Sequence, residues 1–166
     1  MDIALVRVDN RLVHGQILEA WVPYLHICRI IVVDDQVASD FFRETVIRMA
    51  VPSEIDVTIS GLREFGEAHP CTQADGHRTI VLFSTIQDAL AAYRFGFHYE
   101  RLNIGNVYNE NCRLCCTPSV LLSESDLRDI TTLHNEGVQI ELQRVPREKS
   151  VDIFDIVKRA TPSSAV

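Results

Sequence analysis

Short apolar runs recur along the whole chain: IALVRV, RIIVVDD, DVTIS, TIVLF, RLNIG, PSVLL and VQIELQRV. Each is the length of a strand and rich in β-branched residues, which gives seven predicted strands. Most are apolar throughout rather than alternating, the pattern of strands covered on both faces and hence of a parallel sheet.

Helical spacing fills most of the intervals. After Gly15, the residues Ile17, Leu18, Trp21, Val22 and Leu25 form an apolar stripe that should lie on the sheet. Ser39 is placed to cap a second helix carrying Phe42, Val46, Ile47 and Ala50, which Pro52 then stops. A weaker third holds Leu62, Phe65 and Ala68. Thr85 can cap IQDALAAYRF ahead of Gly96, and SESD from Ser123 to Asp126 is a capping-box variant opening a helix that Gly137 closes. A last amphipathic segment carries Val151, Phe154, Val157 and Ala160.

Strands alternating with helices predict right-handed βαβ units. The expected fold is a single-domain α/β protein, an open, mainly parallel sheet of about seven strands with helices on both faces. Residues 1–160 are expected to form this domain and 161–166 a flexible polar tail. Neither a repeat nor a low-complexity tract divides it. The longest irregular connections are GNVYNENCRLCCTP and HPCTQADGH, and long loops are frequent carriers of function.

The chain has 166 residues, 46% hydrophobic and 23% charged, with a formal charge of −7. That size suits one core removing roughly 70% of the unfolded surface from water. The acidic balance argues against nucleic acid or an anionic membrane as the main partner, so any anion site must be local. No apolar run has the length of a membrane span, and no basic leader with an apolar stretch opens the sequence, so direct membrane insertion is not expected and a cytoplasmic location is.

Charge becomes informative at RVDNRLVHGQ, residues 7–16, just after the first strand. Ligands of open α/β sheets sit beyond the carboxyl ends of strands, where a helix start offers free N–H groups to an anion. Arg7 and Arg11 can fork onto a phosphate, and as nearby positive charges they bias His14 toward its neutral, nucleophilic form. Asp9 can take the proton of the other ring nitrogen and so fix the tautomer, or pair with Arg7 or Arg11; the residues alone allow both. His14 also shares a helical face with Leu18, Trp21 and Leu25, which equally suits a core-edge histidine.

The stretch VRVDNRLVHGQILEAW resembles the signature of the IIB subunits of the mannose/fructose/sorbose family of the bacterial phosphotransferase system (PTS), Arg-hydrophobe-Asp-x-Arg-Leu-hydrophobe-His-Gly-Gln, with every position filled. The similarity continues through RIIVVDDQVASD, FSTIQDAL, LNIGN and VLLSESDLRDITTLHNEGVQIELQRVP. The resemblance implies a phosphocarrier. His14 would accept a phosphoryl group from a phosphohistidine on the IIA subunit and pass it to a sugar entering through the IIC and IID membrane subunits.

On the same resemblance Arg7 and Arg11 would stabilise the phosphate, Asp9 would orient the ring, and Gly15, Gln16 and Ser84 would complete the phosphate contacts. Asp34 and Asp35 would shape the rim, or serve as turn and cap residues. Expected partners are IIA, IIC and IID and the sugar, with contact to the inner membrane only through IIC and IID; a homo-oligomer is compatible with this. No cofactor and no metal is implied.

The sequence departs from the family pattern in the loop after LNIG. Asn106 stands where a second glycine is usual, and Cys112 with Arg113 falls near the place of a Gly-Lys pair. A regulatory phosphoacceptor that never passes phosphate to sugar is therefore the alternative. Five cysteines, three of them in CRLCC as Cys112, Cys115 and Cys116, give one C-x-x-C, half of a closed zinc site; His69, Cys71 and His77 would have to complete it in a thiol or metal protein. His26, His98 and His134 carry no supporting pattern. Phosphate-binding loops, dinucleotide fingerprints, nucleophile elbows and H-E-x-x-H are absent, and HNE at His134 lacks the P-C-x-x-C that a zinc deaminase would need.

Overall fold

The computed structural model describes residues 1–69 and 76–160. The expected tail and Cys71 lie outside the described residues. Strands β1 (Asp2–Asp9), β2 (Arg29–Val33), β3 (Asp56–Ser60), β4 (Arg78–Phe83), β5 (Arg101–Asn106), β6 (Leu114–Thr117), β7 (Val120–Leu122), β8 (Gln139–Leu142) and β9 (Val151–Asp152) alternate with helices. The first helix is a π-helix, Gln16–Trp21, running into α1 (Val22–Leu25). The others are α2 (Asp35–Ala38), α3 (Phe41–Ala50), α4 (Leu62–Ala68), α5 (Ile86–Arg94), α6 (Glu124–Asn135) and α7 (Ile153–Ala160).

Seven strands make one sheet in the order β3-β2-β4-β1-β5-β8-β9, parallel except for the last pair. The mainly parallel sheet with helices on both faces is the expected architecture, with two local differences. PSVLL supplies β7 of a separate hairpin with β6 rather than a sheet strand. The seventh place goes to Val151–Asp152, which pairs antiparallel with β8 before α7 begins.

The two faces bury separate cores. Val6, Val8, Ile31, Val33, Val81 and Phe83 point to the face covered by α4, α5, α6 and α7. Ile30, Val32, Ile80 and Leu82 point to the other, covered by the π-helix through Ile17 and Trp21 and by α2 and α3 through Val37 and Ile47. Strand alternation explains the split, since neighbours along a strand face opposite ways.

Local chemistry sets most helix ends where the sequence put them. Thr85 accepts from the Asp88 N–H, and Ser123 and Asp126 close a reciprocal capping box. The second helix differs. Asp34 caps α2, Ser39 ends it, and Asp40 rather than Ser39 caps α3 by accepting from the Phe42 and Arg43 amides. A carboxylate wins there because two open N–H groups converge on it.

Candidate functional site

β1 ends at Asp9 on the carboxyl edge of the sheet, with β4 on one side and β5 on the other. The chain turns sharply, with the Leu12 N–H bonding the Asp9 carbonyl at 2.8 Å, and Leu12 takes a left-handed φ of +53°. That conformation costs a non-glycine residue on the order of 1 kcal/mol or more. Its effect is local and visible, because the Leu12 carbonyl oxygen then lies 2.8 Å from His14 Nδ1. A carbonyl only accepts, so Nδ1 holds the hydrogen of that contact.

His14 Nε2 has no hydrogen-bond partner and is sealed from solvent, while the ring as a whole keeps 16% of its surface. It faces Asp9 Oδ2 at 3.6 Å, beyond hydrogen-bond reach. The group holding the ring is therefore the Leu12 carbonyl, which no side-chain pattern advertises. The Ile17 and Leu18 amides both return to the His14 carbonyl, so the Gly15 and Gln16 amides stand at the open start of the π-helix. The i to i−5 winding, with the Val22 N–H on the Ile17 carbonyl, meets Pro23, which has no N–H to give.

Asp9 pairs with both arginines. Arg11 forks onto it, Nε to Oδ1 at 3.0 Å and Nη2 to Oδ2 at 3.1 Å, and Nη2 also reaches Gln16 Oε1 at 3.0 Å. Its side chain is 41% exposed, and Nη1 is uncommitted among the described residues. Two guanidinium charges against one carboxylate leave a positive charge over, held beside His14.

Arg7 lies elsewhere than the resemblance placed it. Its side chain has no exposed surface and packs under Trp21, with Nη2 bonded to Asp9 Oδ2 at 3.0 Å and the Arg144 carbonyl at 3.1 Å. Nη1 bonds the Gln143 carbonyl at 2.8 Å and the Asn103 side chain. Burial pulls this guanidinium down from its ordinary value, and Asp9 opposes the fall. As a phosphate ligand Arg7 is corrected: strand alternation turns it onto the sheet face beneath the π-helix, so it fixes Asp9 and has no donor facing the rim.

Gly105 makes that position possible. It is the extra residue of a bulge in β5, between the pairs Val8 with Ile104 and Asp9 with Asn106, and a Cβ there would overlap Arg7 Nη2. The glycine within LNIGN was the available signal, unreadable without knowing what lay against it. Asn106 ties the following loop to the site turn through Asn10.

Ser84 follows β4 one residue past the pairing of Val8 with Phe83, beside Asp9 in register, and its hydroxyl donates to Asp88 Oδ2 at 3.0 Å. Asp34 caps α2, and Asp35 accepts the Leu62 amide at 2.8 Å. Burial raises the Asp88 carboxyl, with Asp34 and Asp35 adding to it. In CRLCC, burial pushes the Cys116 thiol up to about 11, and among the described residues no three His, Cys, Asp or Glu side chains meet to hold a metal.

This site sits on a chain whose residues 3–165 match the family model described as "PTS system sorbose subfamily IIB component". The chain belongs to that family. The fructose-specific EIIB component of Bacillus subtilis (strain 168) is 32% identical over 161 residues, 97% of this chain and 99% of that one. The crystal structure of the IIBSor domain of the sorbose permease from Klebsiella pneumoniae superposes with a TM-score of 0.86 at 30% identity, covering 97% of this chain and 99% of that one. The mannose-specific EIIAB component of Escherichia coli (strain K12) is 24% identical over 96% of this chain, which spans 49% of its length. Among the described residues of this PTS IIB component no helix is long and apolar enough to cross a membrane.

Proposed function

We propose that this PTS IIB component accepts a phosphoryl group from a phosphohistidine of a IIA subunit onto His14, and passes it to a sugar entering through IIC and IID. The observation that carries the reading is the imidazole at the carboxyl edge of β1, whose Nδ1 hydrogen is spoken for by Leu12 while Nε2 has no partner. A neutral ring held so has its lone pair on Nε2. That nitrogen is sealed against Asp9, so a donor reaches it only when the ring moves outward and gives up the Leu12 contact, which therefore sets the tautomer of the resting ring alone.

Attack on phosphorus then forms the new P–N bond as the donor's P–N bond breaks and its imidazole leaves with the electron pair. In the onward step a sugar hydroxyl oxygen bonds to phosphorus as the His14 P–N bond breaks, and the released ring takes back the electron pair and accepts the proton that the hydroxyl gives up. Charge spreads over the equatorial oxygens in both steps. In this reading the spare Nη1 of Arg11 and the Gly15 and Gln16 amides would meet it. Each hydrogen bond to a charged group is worth roughly 1.5–3 kcal/mol, so a carrier gains from using them in transfer more than at rest.

Arg7 acts in this scheme only through Asp9, and Ser84, committed to Asp88, stays outside the phosphate set. The IIA partner follows the name EIIAB of the Escherichia coli relative, and a cytoplasmic place at the inner membrane follows from IIC and IID.

Incubation with phosphorylated IIA should leave an acid-labile, base-stable label on the protein, and membranes bearing IIC and IID should discharge it to sugar. A label that forms and never reaches sugar would favour the regulatory acceptor. That alternative draws on Asn106, which bridges to Asn10 where the family has glycine.

A further inference from the structure

The helix α3 is amphipathic the wrong way round. Phe41, Phe42, Val46 and Met49 are 83%, 75%, 50% and 81% exposed, whereas Ile47 on the opposite side makes the contact with the core. At 100° per residue these four and Thr45 fill one arc of about 140° without a charge, flanked by Arg43 and Arg48. At roughly 150–250 Å² per aromatic side chain, the patch presents on the order of 500 Å², near the upper limit for a monomer and the mark of an interaction surface.

Its position ties it to His14. α3 and the π-helix cover the same face of the sheet and share one core, to which Leu12, Ile17, Trp21, Val37 and Ile47 contribute. α3 starts at the carboxyl edge, and β2 is separated from β1 only by β4, about 10 Å at ordinary strand spacing. α3 thus begins on the same edge of the sheet as His14, above a strand two places from β1.

Resting on the reading of His14 as the phosphoacceptor, we infer that the exposed arc of α3 is the docking surface for the phosphohistidine-bearing IIA protein. A second copy of this chain would need about 800 Å² per partner for a stable pair, more than the patch offers; its area suits a transient encounter. Membrane subunits carry excess Lys and Arg on their cytoplasmic loops, so an acidic chain attracts them without an apolar patch. A protein presenting a dianionic phosphoryl group is instead repelled by a chain of net charge −7. Apolar contact offsets that repulsion, and an uncharged arc beside the site supplies it.

The test compares the wild type with a triple variant, Phe41→Ser, Phe42→Ser and Met49→Ser, whose retained fold is checked by thermal melting. The half-saturating concentration of phosphorylated IIA should rise about tenfold or more, as expected on losing central aromatic anchors, with the plateau labelling rate within about twofold. In parallel, unphosphorylated IIA should shift the methyl resonances of Val46 and Met49 in the wild type. Silent methyls, an unchanged half-saturating concentration, methyl shifts on concentrating the wild type alone, or a defect confined to discharge through IIC and IID would each overturn the inference. Methyl shifts with IIA but no phosphoryl group on His14 would support the surface and sink the phosphocarrier reading instead.

Discussion

Arg7 and Asp9 point to the same side of β1, are both wholly buried, and meet at 3.0 Å with the carboxylate presented between Arg7 below and Arg11 above. The pair divides labour between two arginines that look alike in the sequence. Arg7→Met should leave Asp9 to Arg11 alone and unpair the Gln143 and Arg144 carbonyls, at a cost of about 3 kcal/mol, read as a fall in melting temperature of roughly 2–4 °C per kcal/mol for a chain of this size.

Arg11→Lys should behave in the opposite manner. Lysine keeps a charge beside Asp9, whose buried side stays paired with Arg7, so the melting temperature should move little. Transfer from phosphorylated IIA should slow strongly, because lysine keeps the charge and loses the fork that holds Asp9 while leaving Nη1 free. Equal rates would remove Arg11 from the transfer step.

Gly105→Ala tests the bulge. The added Cβ would overlap the Arg7 guanidinium, so Arg7 must shift and Asp9 with it. Overpacking of this kind costs about 1–3 kcal/mol, and the labelling rate should drop along with stability. Alanine tolerated at full rate would show that Arg7 does not position the site.

Burial above all, with Asp34 and Asp35 nearby, raises the Asp88 carboxyl, while Ser84 and Thr85 oppose the rise. A carboxyl raised in the folded state favours the fold while protonated, and that contribution is lost as pH climbs through the folded value. Asp88→Asn should therefore melt higher than wild type at neutral pH. The gap should close below the ordinary aspartate value of about 3.9. A pH-independent gap would contradict the assignment.

The sequence showed most of the sheet because β1, β2, β4 and β5 are covered on both faces, which forces near-continuous apolar runs. It misled where packing rather than periodicity decides. PSVLL reads as a sheet strand, yet β7 pairs with β6 in a separate hairpin. Of the apolar positions Phe42, Val46, Ile47 and Ala50 of the second helix, Ile47 makes the contact with the core while Phe42 and Val46 meet water, because a helical period locates apolar positions without saying which of them are covered. At the site, residue type marks His14 and Arg11 as candidates, and the structure sets both beside Asp9 at the carboxyl edge of β1. Arg7 was misplaced because a guanidinium in a strand reads the same whether it faces a ligand or a bulge across the sheet, and Leu12 acts through a backbone carbonyl.

The most direct test of the account is nitrogen–phosphorus coupling in the histidine rings after phosphorylated IIA is added to protein labelled with 15N-histidine. Coupling confined to the His14 ring, and lost in His14→Ala, is the predicted result. Phosphorus on any other residue, or undiminished labelling of His14→Ala, would contradict it.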